Sequence, residues 1–284
     1  MEPIEHRVLV LGLPETGKSS FIQALDEVLK HPATPESLCR DGLADDRSYI
    51  HAGKPSFLAG EVPGRTDRQI DDTSVELRFK HPPTGQRGRL FLPDEKGEKF
   101  RDQWINRRWE KEYRESLAGI AGVLVFVRAD AKPRNEERLG VLAKAIVSSG
   151  QERLFEMKEA SAQVQLVDVL QFIAEFSAAP QPLRMAVLVS AWDTVGGPGD
   201  LRPRIPGKFV EKEWALLAQY LRSNPGSFTP KIYGVSAFGG VPGELKPSEV
   251  DKPAHERSRI VDDVDVSNES NDLTRPLVWL LQLN

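Results

Sequence analysis

The pattern of apolar and polar residues predicts a sheet of mostly parallel strands. Four short apolar runs rich in valine are typical of strands covered on both faces: His6–Leu11, Ala121–Val127, Met185–Val189 and Lys231–Val235. Thr73–Lys80 instead places apolar residues at every second position, which predicts a strand that is half exposed to water. A Pro- and Gly-rich turn joins it to Arg89–Leu92, so these two segments are expected to form an antiparallel hairpin at a sheet edge.

Helical patterns lie between these strands. The five predicted helices are Lys18–Leu29, Glu98–Leu117, Val164–Phe176, Lys208–Leu221 and Leu273–Leu281. Alternating strands and helices predict a three-layer α/β fold with a six-stranded, mostly parallel sheet and one antiparallel edge strand.

Two long stretches lack a clear pattern of either kind. Residues 31–70 and 238–271 are therefore expected to be insertions, and loops of this length are usually functional or disordered. The chain shows no internal repeat and no convincing linker. We predict one domain, residues 1–284, that carries both insertions.

Composition narrows the class of protein. The 38 basic and 42 acidic residues give a net charge of −4, which argues against a dedicated nucleic-acid binder. A single cysteine, Cys39, excludes a framework of intramolecular disulfides. The longest apolar run, Gly119–Val127, is far shorter than the roughly twenty residues of a membrane-spanning helix. We expect no integral membrane segment and a cytoplasmic location.

The sharpest motif is a G-x-x-x-x-G-K-S sequence that follows the first strand directly and opens the first helix. In such a loop the backbone amides surround phosphates, the lysine reaches the β- and γ-phosphate oxygens, and the serine hydroxyl binds Mg²⁺. The positive end of the helix dipole adds to phosphate binding. The candidate nucleotide-binding residues are Gly12, Glu15, Thr16, Gly17, Lys18, Ser19 and Ser20.

Three further motifs follow predicted strands. Asp94-Glu95-Lys96-Gly97 has the form D-x-x-G, in which Asp94 could hold Mg²⁺ through water and the Gly97 amide could meet a γ-phosphate. Asp193, in Ser190-Ala191-Trp192-Asp193, could accept the N1 and N2 hydrogens of guanine, a pairing that adenine cannot supply. Ser236-Ala237 could bring backbone amides to the guanine O6. Two of these motifs also have a purely structural interpretation: D-x-x-G as a surface turn, and Asp193 as the amino-terminal cap of the segment that follows it.

The order of these motifs resembles the small-GTPase-like branch of P-loop proteins, the TRAFAC class, over nearly the whole chain. Four details resemble the bacterial double-GTPase families of conflict and defence gene clusters: FLAGEVPGRT, a tryptophan-bearing helix after D-x-x-G, WD after the fifth strand, and PLVWLL. The resemblance implies a Ras-like sheet, binding of GTP and GDP with Mg²⁺, and a switching mechanism.

Within that resemblance, three positions bear on mechanism. The family's N/T-K-x-D is S-A-W-D here, so Ala191 lacks the lysine stem that packs on the base. Glu98 stands where the family has a water-positioning glutamine, and its charge would oppose the γ-phosphate and slow hydrolysis. The threonine that closes over Mg²⁺ is assigned to Thr66, with Thr73 as the alternative.

We therefore predict a Mg²⁺-dependent, GTP-binding switch with slow intrinsic GTPase activity that regulates a protein effector or meets an activating partner. The catalytic set is Lys18, Thr66, Gly97 and Glu98, and the metal ligands are Ser19, Thr66 and Asp94. Two alternatives stay open: a nucleotide-dependent interaction module without significant hydrolysis, which Glu98 favours, and an ATP-dependent phosphotransferase, which Asp193 disfavours.

Overall fold

The computed structural model describes residues 5–42, 54–61, 75–92, 105–106, 111–130, 160–195, 205–263 and 269–283. The strands within these ranges are β1 (Glu5–Gly12), β2 (Cys39–Arg40), β3 (Val75–Lys80), β4 (Arg87–Leu92), β5 (Ile120–Arg128), β6 (Leu183–Ser190), β7 (Phe228–Ser236) and β8 (Arg259–Asp262). The helices are α1 (Lys18–Lys30), α2 (Lys111–Ser116), α3 (Ala162–Phe176), α4 (Pro206–Glu213), α5 (Ala215–Ser223), α6 (Pro247–Val250), α7 (Ala254–Arg257) and α8 (Arg275–Leu281).

The described strands form one eight-stranded mixed sheet in the order β2-β3-β4-β1-β5-β6-β7-β8. The six predicted strands are adjacent in its centre, and β4, β1, β5, β6 and β7 run parallel. The prediction of six strands with one antiparallel edge was wrong, because β2 and β8 add antiparallel pairs at the two ends. β2 has only two residues and β8 only four, too few for a periodic pattern to stand out.

The 238–271 stretch, expected to be an insertion without regular structure, contains α6, α7 and β8. The single helix predicted for Lys208–Leu221 is also divided in two. The backbone leaves the helical region at Trp214 (φ −121°, ψ 46°), whose side chain is buried in the core. Most of the predicted helix Glu98–Leu117 lies outside the described residues, and its last part is α2.

Apolar side chains pack in two clusters, to which alternate residues of β1 contribute. Val8 and Val10 belong to the cluster that includes α1 and α8. Leu9 and Leu11 belong to the other cluster, together with α3 and α5. Because successive side chains of a strand point to opposite faces, helices cover both faces of the central sheet.

The parallel register brings the carboxyl-terminal ends of four strands together. Gly12 at the end of β1 pairs with Phe126 in β5, and Arg128 at the end of β5 pairs with Ser190 at the end of β6. Ser190 in turn pairs with Val235, next to the last residue of β7. Loops that leave these four ends are therefore neighbours, which is the usual place for a ligand in an α/β sheet.

Among the described helices, none is both long enough and apolar enough to span a bilayer.

Candidate nucleotide-binding site

The loop Gly12–Ser19 turns tightly between β1 and α1. Gly17 precedes the helix with a left-handed backbone (φ 84°), which strongly favours glycine. A Cβ at Gly12 would lie 2.9 Å from the Cβ of Phe126, and one at Gly17 would lie 3.0 Å from the Cβ of Ser190. Both glycines are therefore needed for the loop to pass so close to β5 and β6.

The amine of Lys18 lies against the loop rather than in solvent. Its Nζ donates hydrogen bonds to the carbonyl oxygens of Gly12 at 2.7 Å and Leu13 at 2.8 Å. The hydroxyl of Thr16 also donates to the Leu13 oxygen, at 2.8 Å. The ammonium charge is thus held beside the amino terminus of a 13-residue helix, where helix dipole and lysine attract an anion together.

Ser190 joins the loop to the two strands beside it. Its Oγ is buried and lies 2.8 Å from the carbonyl oxygen of Thr16 and 3.3 Å from that of Val127. This contact fixes the start of the S-A-W-D turn against the phosphate loop.

The S-A-W-D turn that follows β6 is held by its tryptophan. Ala191 has a left-handed backbone (φ 53°) and begins a short 3₁₀ turn, Trp192–Thr194. The indole of Trp192 lies directly over Gly234, so close that β7 has no room for a Cβ there. The position of Asp193 is therefore set by the packing of its neighbour.

Asp193 carries an unpaired buried oxygen. Its Oδ2 is shielded from solvent and has no hydrogen-bond partner within the part of the chain that the structure describes. Leaving a buried carboxylate oxygen unpaired is costly, and such atoms are rare in native proteins. The Asp193 side chain as a whole is only half-buried. A ligand that approached its carboxylate from the open side could donate to it, and the N1 and N2 hydrogens of guanine fit that requirement.

The segment after β7 forms a compact turn beside this carboxylate-bearing loop. The Ser236 hydroxyl accepts a hydrogen bond from the Gly239 amide at 3.1 Å. Gly239 has a left-handed backbone (φ 78°) and lies against the Arg257 carbonyl, with no space for a side chain. Ala237 is partly buried against the cluster around α1.

Arg257 and Phe57 hold part of the 31–70 insertion against this turn, a contact that the sequence did not indicate. The Arg257 guanidinium is only 1% exposed and donates to the carbonyl oxygens of Phe57 at 2.6 Å and Leu58 at 3.3 Å. Burial lowers the pKa of Arg257. The Phe57 ring packs on Phe238, with ring centroids 4.9 Å apart. Residues 54–61 therefore share a core with the Ser236–Gly239 turn.

The structure places the phosphate loop, Asp193, Ser236 and Ala237 at the carboxyl-terminal end of the same sheet, and their roles toward a nucleotide stay predictions. The remaining candidates lie outside the described residues: Thr66, Thr73, Asp94, Gly97 and Glu98. The Mg²⁺ ligands, Ser19 included, and all contacts with the γ-phosphate stay predictions from the sequence.

A match to a family model identifies the chain's relatives. Residues 9–280 match the model described as Double-GTPase 1. A search of curated proteins gives no match.

Several solved structures align with much of the chain at low identity. They include a bacterial selenocysteine-specific elongation factor EF-Sec (9% identity, TM-score 0.36, 84% of this chain) and translation elongation factor SelB from Methanococcus maripaludis (10%, 0.36, 82%). A third is the Arl6 BBS3 small GTPase from Trypanosoma brucei (13%, 0.37, 89% of this chain and 99% of that one).

The aligned region spans only 27% and 30% of the two elongation-factor chains. Because all three TM-scores are below 0.5, the assignment rests on the family model, which covers almost the whole chain. It confirms the resemblance to P-loop GTPases of the double-GTPase families. The chain belongs to the Double-GTPase 1 family.

Proposed function

We propose that this protein is a GTP-binding switch that requires Mg²⁺ and hydrolyses GTP slowly. The observation that carries the proposal is the buried Oδ2 of Asp193, which has no hydrogen-bond partner among the described residues and lies at the same end of the sheet as the phosphate loop. The Asp193 carboxylate can accept hydrogen bonds from the edge of guanine, and the phosphate loop can bind the phosphates. Family membership supports the same assignment.

Each candidate residue has a defined part in this proposal. Lys18 contacts the β- and γ-phosphates, while the backbone amides of the loop surround them. Asp193 accepts the N1 and N2 hydrogens of guanine, and the amides of Ser236 and Ala237 meet its O6. Ser19, Thr66 and Asp94 would hold Mg²⁺, which supplies neutralisation of the phosphate charge when bound. The Gly97 amide meets the γ-phosphate.

Hydrolysis in this site depends on positioning and electrostatics, since phosphoryl transfer needs little covalent chemistry from the protein. Glu98 follows the D-x-x-G glycine, where its carboxylate would face the γ-phosphate across the attacking water. Two like charges about 4 Å apart repel by roughly 4 kcal/mol at an effective dielectric constant near 20. We infer that this repulsion keeps intrinsic turnover slow.

Replacing Glu98 with glutamine is expected to raise the single-turnover rate of GTP hydrolysis by about tenfold or more. The amide can still orient water but no longer repels the γ-phosphate, and each 1.4 kcal/mol removed from the barrier is a factor of ten. The rate should be measured with Mg²⁺ and excess enzyme, so that product release does not limit it.

Glu95→Gln is the matched control, because it removes a carboxylate from the same D-x-x-G segment three residues away. Its rate should equal that of the wild type. Fast hydrolysis by the purified wild type would contradict an inhibitory Glu98.

The second candidate is an interaction module that binds GTP and recruits a partner without hydrolysing it, and Glu98 is the residue that favours it. The same single-turnover assay separates the two functions. A wild-type rate indistinguishable from that of Lys18→Ala, with GTP bound, would favour the module. A slow rate that disappears in Lys18→Ala would favour the GTPase.

A further inference from the structure

The site as described lacks one contact for the base. In the family's N/T-K-x-D motif a lysine stem packs on guanine, but Ala191 stands at that position here and has only a methyl side chain. A base held at its edge by Asp193 would therefore have no cationic surface from this turn. The neighbouring strand, β5, ends in an arginine that could supply this contact.

Arg128 is the last residue of β5 and pairs in register with Ser190, the residue just before Ala191. Its Nη1 donates a hydrogen bond to the carbonyl oxygen of Glu15, in the middle of the phosphate loop, at 3.1 Å. The guanidinium therefore connects the end of β5 to the loop that would bind phosphates, next to the turn that carries Asp193.

Asp130 holds the other side of the same guanidinium. The Arg128 Nη2 donates to Asp130 Oδ2 at 2.8 Å, and its Nε donates to Oδ1, which makes a bidentate pair. Such pairs fix the orientation of the guanidinium plane as well as its position. Arg128 is thus fixed at two points, by Asp130 and by Glu15.

The charge and exposure of Arg128 suit a contact with a nucleotide. The hydrogen bond with Asp130, together with the negative charges of Asp130, Glu15 and Asp193, raises the pKa of Arg128. Its side chain is 37% exposed, so it keeps surface that a ligand can cover. An arginine guanidinium is flat, always charged and stacks on aromatic rings, including purines.

We propose that Arg128 takes the place of the lysine missing at Ala191: Asp130 and the Glu15 carbonyl hold its guanidinium beside the phosphate loop, where it provides a flat cationic surface for the guanine base. The inference rests on the proposed function, because it concerns the same nucleotide. Arg128 would position the base and raise the affinity for it from β5, whereas the family's lysine belongs to the motif that follows β6.

Replacing Arg128 with alanine is expected to lower the affinity for GDP and GTP equally, by about tenfold, through faster dissociation. The two nucleotides differ only in the γ-phosphate, so an equal loss excludes a contact with that phosphate and leaves the shared base, ribose and α- and β-phosphates. Affinities and dissociation rates should be measured with fluorescently labelled GDP and by competition with GTP.

Inorganic tripolyphosphate tests the base contact separately, since it uses the phosphate loop alone. Arg128→Ala should change its affinity less than threefold, which also shows that the loop of the variant is folded. Arg87→Ala is the matched control, because Arg87 is an exposed strand arginine paired with Asp41 at 3.2 Å. This control should leave the affinities for GDP and tripolyphosphate unchanged.

A rescue variant makes the assignment specific. Adding Ala191→Lys to Arg128→Ala restores a cationic stem at the family's position, and it should recover most of the lost GDP affinity. If Arg128 served only the fold, a lysine at position 191 would not restore the affinity for GDP.

Three results would overturn the inference. Unchanged GDP affinity in Arg128→Ala, with normal binding by the wild type, would refute the role of Arg128 and leave the proposed function intact. Equal losses for GDP and tripolyphosphate would refute the base contact. Failure of the wild type to bind GDP or GTP would refute the proposed function, and the inference with it.

Discussion

Replacing Lys18 with alanine is expected to lower the affinity for GTP by at least about a hundredfold. The Lys18 amine lies within hydrogen-bond distance of two loop carbonyls, where it can turn to the β- and γ-phosphates. The backbone amides would stay in place in the variant, but the positive charge would be lost. A charge pair near 4 Å at an effective dielectric constant of about 20 contributes roughly 4 kcal/mol, more than a hundredfold requires.

Calorimetric titration with GTP and Mg²⁺ measures this loss directly. Lys208→Ala is a matched control, since Lys208 is an exposed helical lysine far along the chain that pairs with Glu211. The control should bind GTP as the wild type does. If Lys18→Ala retained wild-type affinity, the interpretation of Gly12–Ser19 as a phosphate loop would be wrong.

The second large effect is expected for Asp193→Asn, which should change the preferred base from guanine to xanthine. The carboxylate offers two acceptors to the N1 and N2 hydrogens of guanine, while asparagine offers one acceptor and one donor. That pair mismatches guanine and matches xanthine. We expect Asp193→Asn to lose about 10- to 100-fold in GTP affinity, as for a charged hydrogen bond removed from a shielded site, and to gain XTP binding.

A competition assay between GTP and XTP measures the exchange of base preference. Asp251→Asn changes an exposed carboxylate at the end of α6 and should leave the preference for GTP unaltered. If Asp193→Asn weakened the binding of GTP and of XTP equally, Asp193 would serve the fold rather than base recognition.

The sequence predicted the parts of the site that local patterns encode. Gly12–Ser19 lies between a valine-rich strand and an amphipathic helix, so its motif and context agree within a short window. Asp193 lies three residues after the end of β6 and Ser236 is the last residue of β7, and parallel strands place their carboxyl ends together. The residue types and their order along the chain were therefore enough to group them.

The parts that were missed depend on contacts between distant residues. Arg257 binds the Phe57 carbonyl 200 positions away, and Arg128 binds the Glu15 carbonyl 113 positions away. Neither arginine lies in a motif, and periodicity carries no information on such pairs. The break at Trp214 was missed for a related reason, because tertiary packing of the indole ends a helix that the local pattern would continue.

The most direct test of the account is the base preference of the wild-type protein, measured by calorimetric titration with GTP and with ATP under the same Mg²⁺ concentration. The Asp193 carboxylate, whose Oδ2 lacks a hydrogen-bond partner in the described part of the chain, predicts that GTP binds at least about a hundredfold more tightly than ATP. Adenine has no hydrogens to donate at the matching positions. Equal or tighter binding of ATP would contradict the guanine site and the GTP-dependent function built on it.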